Sequence, residues 1–186
     1  MAIARAAGEK IYRLRVEFKI KVNRFNGFLE KLKVRICLDG SAWDGIHITR
    51  AADFLNGIAL NSLFCIIAHL DMDILIGDVV SAYLKGDWPT GEHGKPVRRV
   101  FAKQLLGYET FTDGIQDCDE VVVPLWGAPP SGQIYDEKFV QIATEKCGFT
   151  QVQVNRSMYM ARRGAAIALM GVQVDDFLTH WHHLLG

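Results

Sequence analysis

Several signals are missing from the 186 residues, and each absence excludes a class. The four cysteines, at 37, 65, 118 and 147, show no C-x-x-C spacing, so neither a zinc ribbon nor a redox pair is in view. A reducing compartment and buried, reduced thiols are the expectation. Net charge is absent too, with 21 basic against 21 acidic residues. The longest apolar run, Phe54 to Leu70, is broken by Asn56, Gly57, Asn61 and His69. It reads as a buried helix, because a membrane span needs about 20 apolar residues. Met1 to Gly8 is short and alanine-rich, without the apolar core of a secretory signal. The composition, 49% apolar and 23% charged, is that of a globular chain and excludes a disordered or collagen-like one.

The zero net charge conceals an asymmetry. Residues 1–35 hold ten basic and three acidic residues, and residues 36–186 hold eleven and eighteen. A basic head of +7 on an acidic body of −7 suits either a solvated strand face or a grip on a polyanion.

In the head, Tyr12, Leu14, Val16, Phe18, Ile20 and Val22 alternate with charged residues. Strict period two predicts a strand with one buried and one wet face. Asn26-Gly27 then signals a hairpin, and the second strand, near Leu29–Leu38, carries Lys31, Lys33 and Arg35 on one face. Beyond a loop at 39–50, residues 51–70 read as a helix with Asp53 or an earlier residue as cap. Residues 73–80 read as a buried strand holding one carboxylate, Asp78. Glu109 to Asp119 reads as acidic loop and 121–125 as a strand that Pro124 stops. Residues 133–147 read as a helix with Gly148 at C′. Met158–Ala161 and Ala166–Val174 read as strands about the Arg162-Arg163-Gly164 turn. The second runs into Asp175-Asp176.

Three carboxylates therefore stand out: Asp78, Asp175 and Asp176. Clustered carboxylates repel one another, and a divalent cation removes the conflict. Mg²⁺ prefers such hard oxygen ligands, and two ions bridging carboxylates and phosphates drive in-line phosphoryl transfer. The plainer alternative is a hairpin turn plus a strand-edge acid. His180, Trp181, His182 and His183 read as a frayed terminus rather than a metal site. Arg162-Arg163 reads as a charged turn, and Trp126 and Tyr135 as packing residues.

The surrounding residues extend this. Glu17–Ile36 reads EFKIKVNRFNGFLEKLKVRI, and Asp73–Trp88 reads DILIGDVVSAYLKGDW. Val123–Phe139 reads VPLWGAPPSGQIYDEKF, and Gly148–Leu178 contains GFTQV, a Tyr, and VQVDDFL. In this order and spacing the segments resemble the reverse transcriptase of copia-type LTR retrotransposons, over roughly residues 16–180. The corresponding family pieces are a K-x-R strand, D-V-x-x-A-[FY]-L-x-G-D, L-Y-G…W-[YE]-x-x-[FL], G-F…Y and Y-V-D-D. Gln173 stands where the family has its usual tyrosine, and Ala128-Pro129-Pro130-Ser131-Gly132 replaces the common L-K-Q-A-P-R.

The resemblance implies an α+β polymerase fingers-and-palm, an antiparallel palm sheet backed by helices, with the thumb absent. Residues 1–15 would be an extension, 16–180 the fingers and palm, and 181–186 a tail. Asp78, Asp175 and Asp176 would be catalytic metal ligands, Asp175 the more direct of the pair, with Val79 adding its carbonyl. Ala82 and Tyr83 would bind substrate, Tyr83 lying under the incoming sugar and excluding a 2′-OH. Lys33 and Arg35 would sit near the triphosphate. Two Mg²⁺ ions, with Mn²⁺ as an alternative, would serve transfer from a dNTP to a primer 3′-OH on an RNA template. The expected setting is cytoplasmic, in a virus-like particle, with no membrane partner. The thumb, RNase H and integrase would come from the rest of the polyprotein. Two rivals remain open: a catalytically silent nucleic-acid-binding remnant, and a phosphohydrolase using the same acids with His47, His69 or His93.

Overall fold

The computed structural model describes residues 8–44, 55–91 and 97–182. In chain order the strands are β1 Ile11–Tyr12, β2 Leu14–Val22, β3 Leu29–Leu38, β4 Asp73–Asp78, β5 Phe101–Lys103 and β6 Phe111–Thr112. Then come β7 Ile115–Gln116, β8 Cys118–Glu120, β9 Thr150–Val152, β10 Asn155–Arg163, β11 Ala166–Gln173 and β12 Asp176–His182. Two helices, α1 Gly57–Leu70 and α2 Ser131–Gln141, complete a mixed α+β chain rich in open sheets. Contacts divide it into two units: Met1–Ile48 with Gly86–Ser131, and Thr49–Lys85 with Gly132–Gly186.

In the first unit, β2 and β3 form a two-stranded antiparallel ribbon with Phe18 opposite Val34 and Lys19 opposite Lys33. Gly27 takes positive φ, and Asn23 closes the turn by accepting from the Gly27 amide at 2.9 Å. The expected strands are present, but the expected burial is not. Phe18 is 77% exposed, and Ile20, Leu32 and Val34 are exposed as well, while Lys33 and Arg35 are half-covered. Period two records how side chains alternate, not which face finds a cover. Arg35 is partly shielded by the Trp126 ring, whose centroid lies 5.9 Å away.

The ribbon is rooted where the Leu38 amide donates to the Trp126 carbonyl at 2.7 Å. Gly127, at φ +86, lies so close to the Leu38 carbonyl that a Cβ would collide with it. That explains the glycine before Ala128-Pro129-Pro130. Nearby, Tyr12, Trp43 and Trp88 stack in series, at 5.1 and 6.4 Å between centroids. The Tyr12 hydroxyl donates to Asp44 at 2.6 Å. Because β1 pairs with β5 and Tyr12 is buried, residues 11–15 belong to this unit and are not an extension of it. Residues 109–120 are not a plain acidic loop. They form the β6–β7 hairpin and then β8, which pairs with β5. Val121–Leu125, expected as a strand, is irregular.

In the second unit a five-stranded sheet runs β4-β12-β11-β10-β9. β11 is apolar on both faces because both faces are covered. On one face Leu63 and Ile67 of α1 pack with Met72 and Leu169. On the other, Phe139, Val140 and Ala143, in and just after α2, pack with Tyr159, Met170, Val172 and Phe177. Asn56 caps α1 by accepting from the Ala59 amide at 2.9 Å. The expected cap Asp53 and the start at 51 lie outside the described residues. α2 runs on through a π-turn, Ile142–Lys146, and Gly148 follows at φ +74, as its C′ assignment requires. Among the described residues no helix is long and apolar enough to cross a membrane.

Two expectations fail here. Residues 180–182 do not fray, and the expected tail does not begin at 181. β12 lies between β11 and β4 and is hydrogen-bonded on both sides, which holds Trp181 and fully buries His180. His183 is outside the described residues. β4 is also not buried. It is the sheet's edge, and Ile74, Leu75, Ile76 and Asp78 are exposed.

Candidate active site

The acids converge through strand register. Asp176 opens β12 directly opposite Asp78, the last residue of β4. The next pair inward toward the turn is Val79 with Asp175, where the Val79 amide donates to the Asp175 carbonyl at 2.8 Å. In an antiparallel ladder, hydrogen-bonded and non-hydrogen-bonded pairs alternate. Asp78 and Asp176 therefore form a non-hydrogen-bonded pair, with Cα atoms about 4.5 Å apart and side chains on one face. The register is held one residue further in. Gly77 faces Phe177, and the Phe177 ring occupies the space a Gly77 Cβ would need.

The β11–β12 connection has two residues, Val174 and Asp175. Val174 has φ 59, a value a β-branched residue adopts only under strain. Turns of this length favour positive φ at the first central position because it matches strand twist, and glycine is the residue that takes it freely. The strain is thus stored beside the carboxylates. Gln173 stands where the resemblance expects tyrosine, and here it ties the end of β11 to the chain ahead of α1. Its Oε1 accepts from the Leu55 amide at 3.2 Å.

Immediately after β4, Ser81 at φ 57 turns the chain into a short 3₁₀ segment, Ala82–Lys85. Ala82 is buried. The Tyr83 ring meets Tyr135 of α2 edge-on, at 6.3 Å and 74°. Tyr135 is 4% exposed, and its hydroxyl has no hydrogen-bond partner among the described residues. Burial first, and then the charges of Asp175, Asp136 and Asp78, push its pKa up to about 12. From the residues alone Tyr135 reads as a packing residue. The available signal is its place four residues before Phe139 on an amphipathic helix, which marks the inward face but not the neighbouring acids.

All three carboxylates are exposed, so burial does not raise the cost of their repulsion. Like charges directly opposite on adjacent strands still destabilise the pair. The donor set is hard oxygen, which suits Mg²⁺ or Mn²⁺. Among the described residues no three His, Cys, Asp or Glu side chains converge to hold an ion. Mg²⁺ commonly takes one or two protein carboxylates and fills its remaining positions with water and phosphate. A register pair fits that requirement.

Lys33 and Arg35 lie on β3 in the first unit, half-covered. His47 and His93 lie outside the described residues. His69 is exposed in the last turn of α1, which leads into the start of β4. Five residues of strand, about 16 Å, separate that end of β4 from Asp78. No family model, curated protein or solved structure matches the chain.

Proposed function

We propose that the chain is the fingers-and-palm part of an RNA-directed DNA polymerase of the copia retrotransposon type, which transfers a nucleotide from a dNTP to a primer 3′-OH. The observation that carries this reading is the register pairing of Asp78 with Asp176, with Asp175 in the adjoining turn. The ordered motifs that resemble that family supply the reaction class. The strained two-residue turn carries Asp175 and leads into Asp176, which the register sets opposite Asp78.

Asp78 and Asp176, with Asp175 beside them, would hold the divalent cations, and Val79 would offer its carbonyl. Bound there, the cations would lower the pKa of the attacking hydroxyl and neutralise charge on the departing pyrophosphate. The protein's own share is positional. Ala82 and Tyr83 shape the floor on which the sugar rests, and Tyr83 is steadied by the Tyr135 ring. Lys33 and Arg35 give the ribbon a cationic face for phosphates, with affinity that falls as salt rises. The phosphohydrolase reading loses support from His69, which sits at the wrong end of β4.

The test is primer extension on an RNA template with Mg²⁺, using the chain and its Asp175→Asn and Asp176→Asn variants. Incorporation abolished in both variants supports the proposal. Salt-dependent binding of primer–template with no incorporation by the parent chain points instead to a silent binding remnant.

A further inference from the structure

Among the described residues, the Tyr135 hydroxyl is a buried polar group without a hydrogen-bond partner. A buried hydroxyl without a partner costs free energy that a phenylalanine of the same shape would not. Its ring has full packing, edge-on to Tyr83 at 6.3 Å and tilted on Phe139 at 6.2 Å. Phe139 in turn meets Tyr159 at 5.8 Å, so the ring is clamped in a line of aromatics running into the core. A clamped ring holds its hydroxyl in one place. Tyr83, whose ring meets it, follows Asp78 by five residues, and Val79 between them donates to the Asp175 carbonyl, so the ring stands beside the acid-bearing strand ends, where the charges of Asp175, Asp136 and Asp78 reach the hydroxyl. Tyrosine is an O–H donor, and a carboxylate is its natural acceptor. Asp175 sits exposed in the two-residue turn, next to the strained Val174.

We infer that Tyr135 is a positioning residue of the acidic site, whose O–H donates to Asp175 and fixes that carboxylate when a divalent cation is bound. The inference rests on the proposed cation site and adds a residue to it. Among the described residues the hydroxyl has no hydrogen-bond partner. With a cation held there, Asp175 would still have a lone pair for the Tyr135 hydroxyl to donate to. Removing the hydroxyl therefore weakens cation binding without loosening the fold.

The experiment is Mn²⁺ binding followed by electron paramagnetic resonance, with thermal unfolding run in parallel. It compares the full chain with Tyr135→Phe and with Tyr159→Phe, a hydroxyl in the same aromatic line that already accepts from the Gln151 amide at 3.4 Å. The expected result is about a tenfold loss of Mn²⁺ affinity in Tyr135→Phe, the size of one charge-assisted hydrogen bond, with a melting temperature no lower than the parent's in the absence of Mn²⁺. Tyr159→Phe should bind as the parent does. Equal affinity in the parent and Tyr135→Phe overturns the role of Tyr135 and leaves the cation site standing. A parent chain that binds no Mn²⁺ overturns the cation site and this inference together. Equal losses in both variants would mean the aromatic line acts only structurally, which also overturns it.

Discussion

The β2–β3 ribbon and the β4-β12-β11-β10-β9 sheet are both antiparallel, and they end in opposite conditions. Along the ribbon every second residue is apolar, and nearly all of those residues face water. In the sheet, β11 shows hardly any alternation and is covered on both faces by helix-borne side chains. The difference lies in what packs against each. A strand's pattern states which residues share a face, whereas burial needs a second layer. The sheet has two such layers. Among the described residues, the ribbon meets other elements mainly at its root, through Leu38 and Trp126.

That contrast sets the scale of expected effects. Leu63→Ala empties a fully buried site between α1 and the sheet and should cost about 3 kcal/mol in chemical denaturation. A loss below about 1 kcal/mol would mean the sheet is no better packed than the ribbon. Gly77→Ala forces the Phe177 ring aside and should cost about 2 kcal/mol. On the proposed polymerase reading it should also lower nucleotide incorporation, because it disturbs the pairing of Asp78 with Asp176.

His180 sharpens the comparison through pH. Burial holds its pKa below the usual 6.5, and the nearby Asp73 backbone offsets this only in part. The unfolded chain therefore binds a proton before the folded chain does. Stability should be complete above about 6.5 and fall as pH drops below it toward the folded-state value. His180→Leu should flatten that fall in melting temperature across the same range.

Smaller effects belong to the turn and the ribbon. Val174→Gly relieves a strained φ and should raise stability by roughly 0.5–1 kcal/mol, read from the denaturation midpoint. Phe18→Ser, on the exposed ribbon face, should change stability by no more than about 0.5 kcal/mol while reducing self-association in sedimentation.

Much of this is legible in the residues, and the failures are specific. β2, β3 and the hairpin between them follow from alternation and Asn26-Gly27. α2 and its glycine stop follow from the 3.6-residue pattern. β6, β7 and β9 are not legible because strands of two or three residues carry no periodicity. Ile74, Leu75 and Ile76 ahead of Asp78 predict a buried strand. An apolar run cannot say whether its strand is central or at an edge, and β4 is at an edge. The three acids stand out by type and spacing. Their register depends on a two-residue turn and on Phe177 filling the place of a missing Gly77 side chain, which only the folded chain displays. Tyr135 is legible as core and not as a neighbour of carboxylates.

The central claim is that β12 returns from its turn with Asp176 directly opposite Asp78, and cysteine cross-linking tests it most directly. In a chain with Cys65 and Cys147 replaced by serine, Asp78→Cys with Asp176→Cys places two thiols across a non-hydrogen-bonded pair, within disulfide reach. Asp78→Cys with Leu178→Cys, offset by two residues, is the control. The account predicts rapid cross-linking on mild oxidation in the first pair and little in the second. Cross-linking of the offset pair, or of neither pair, would contradict it.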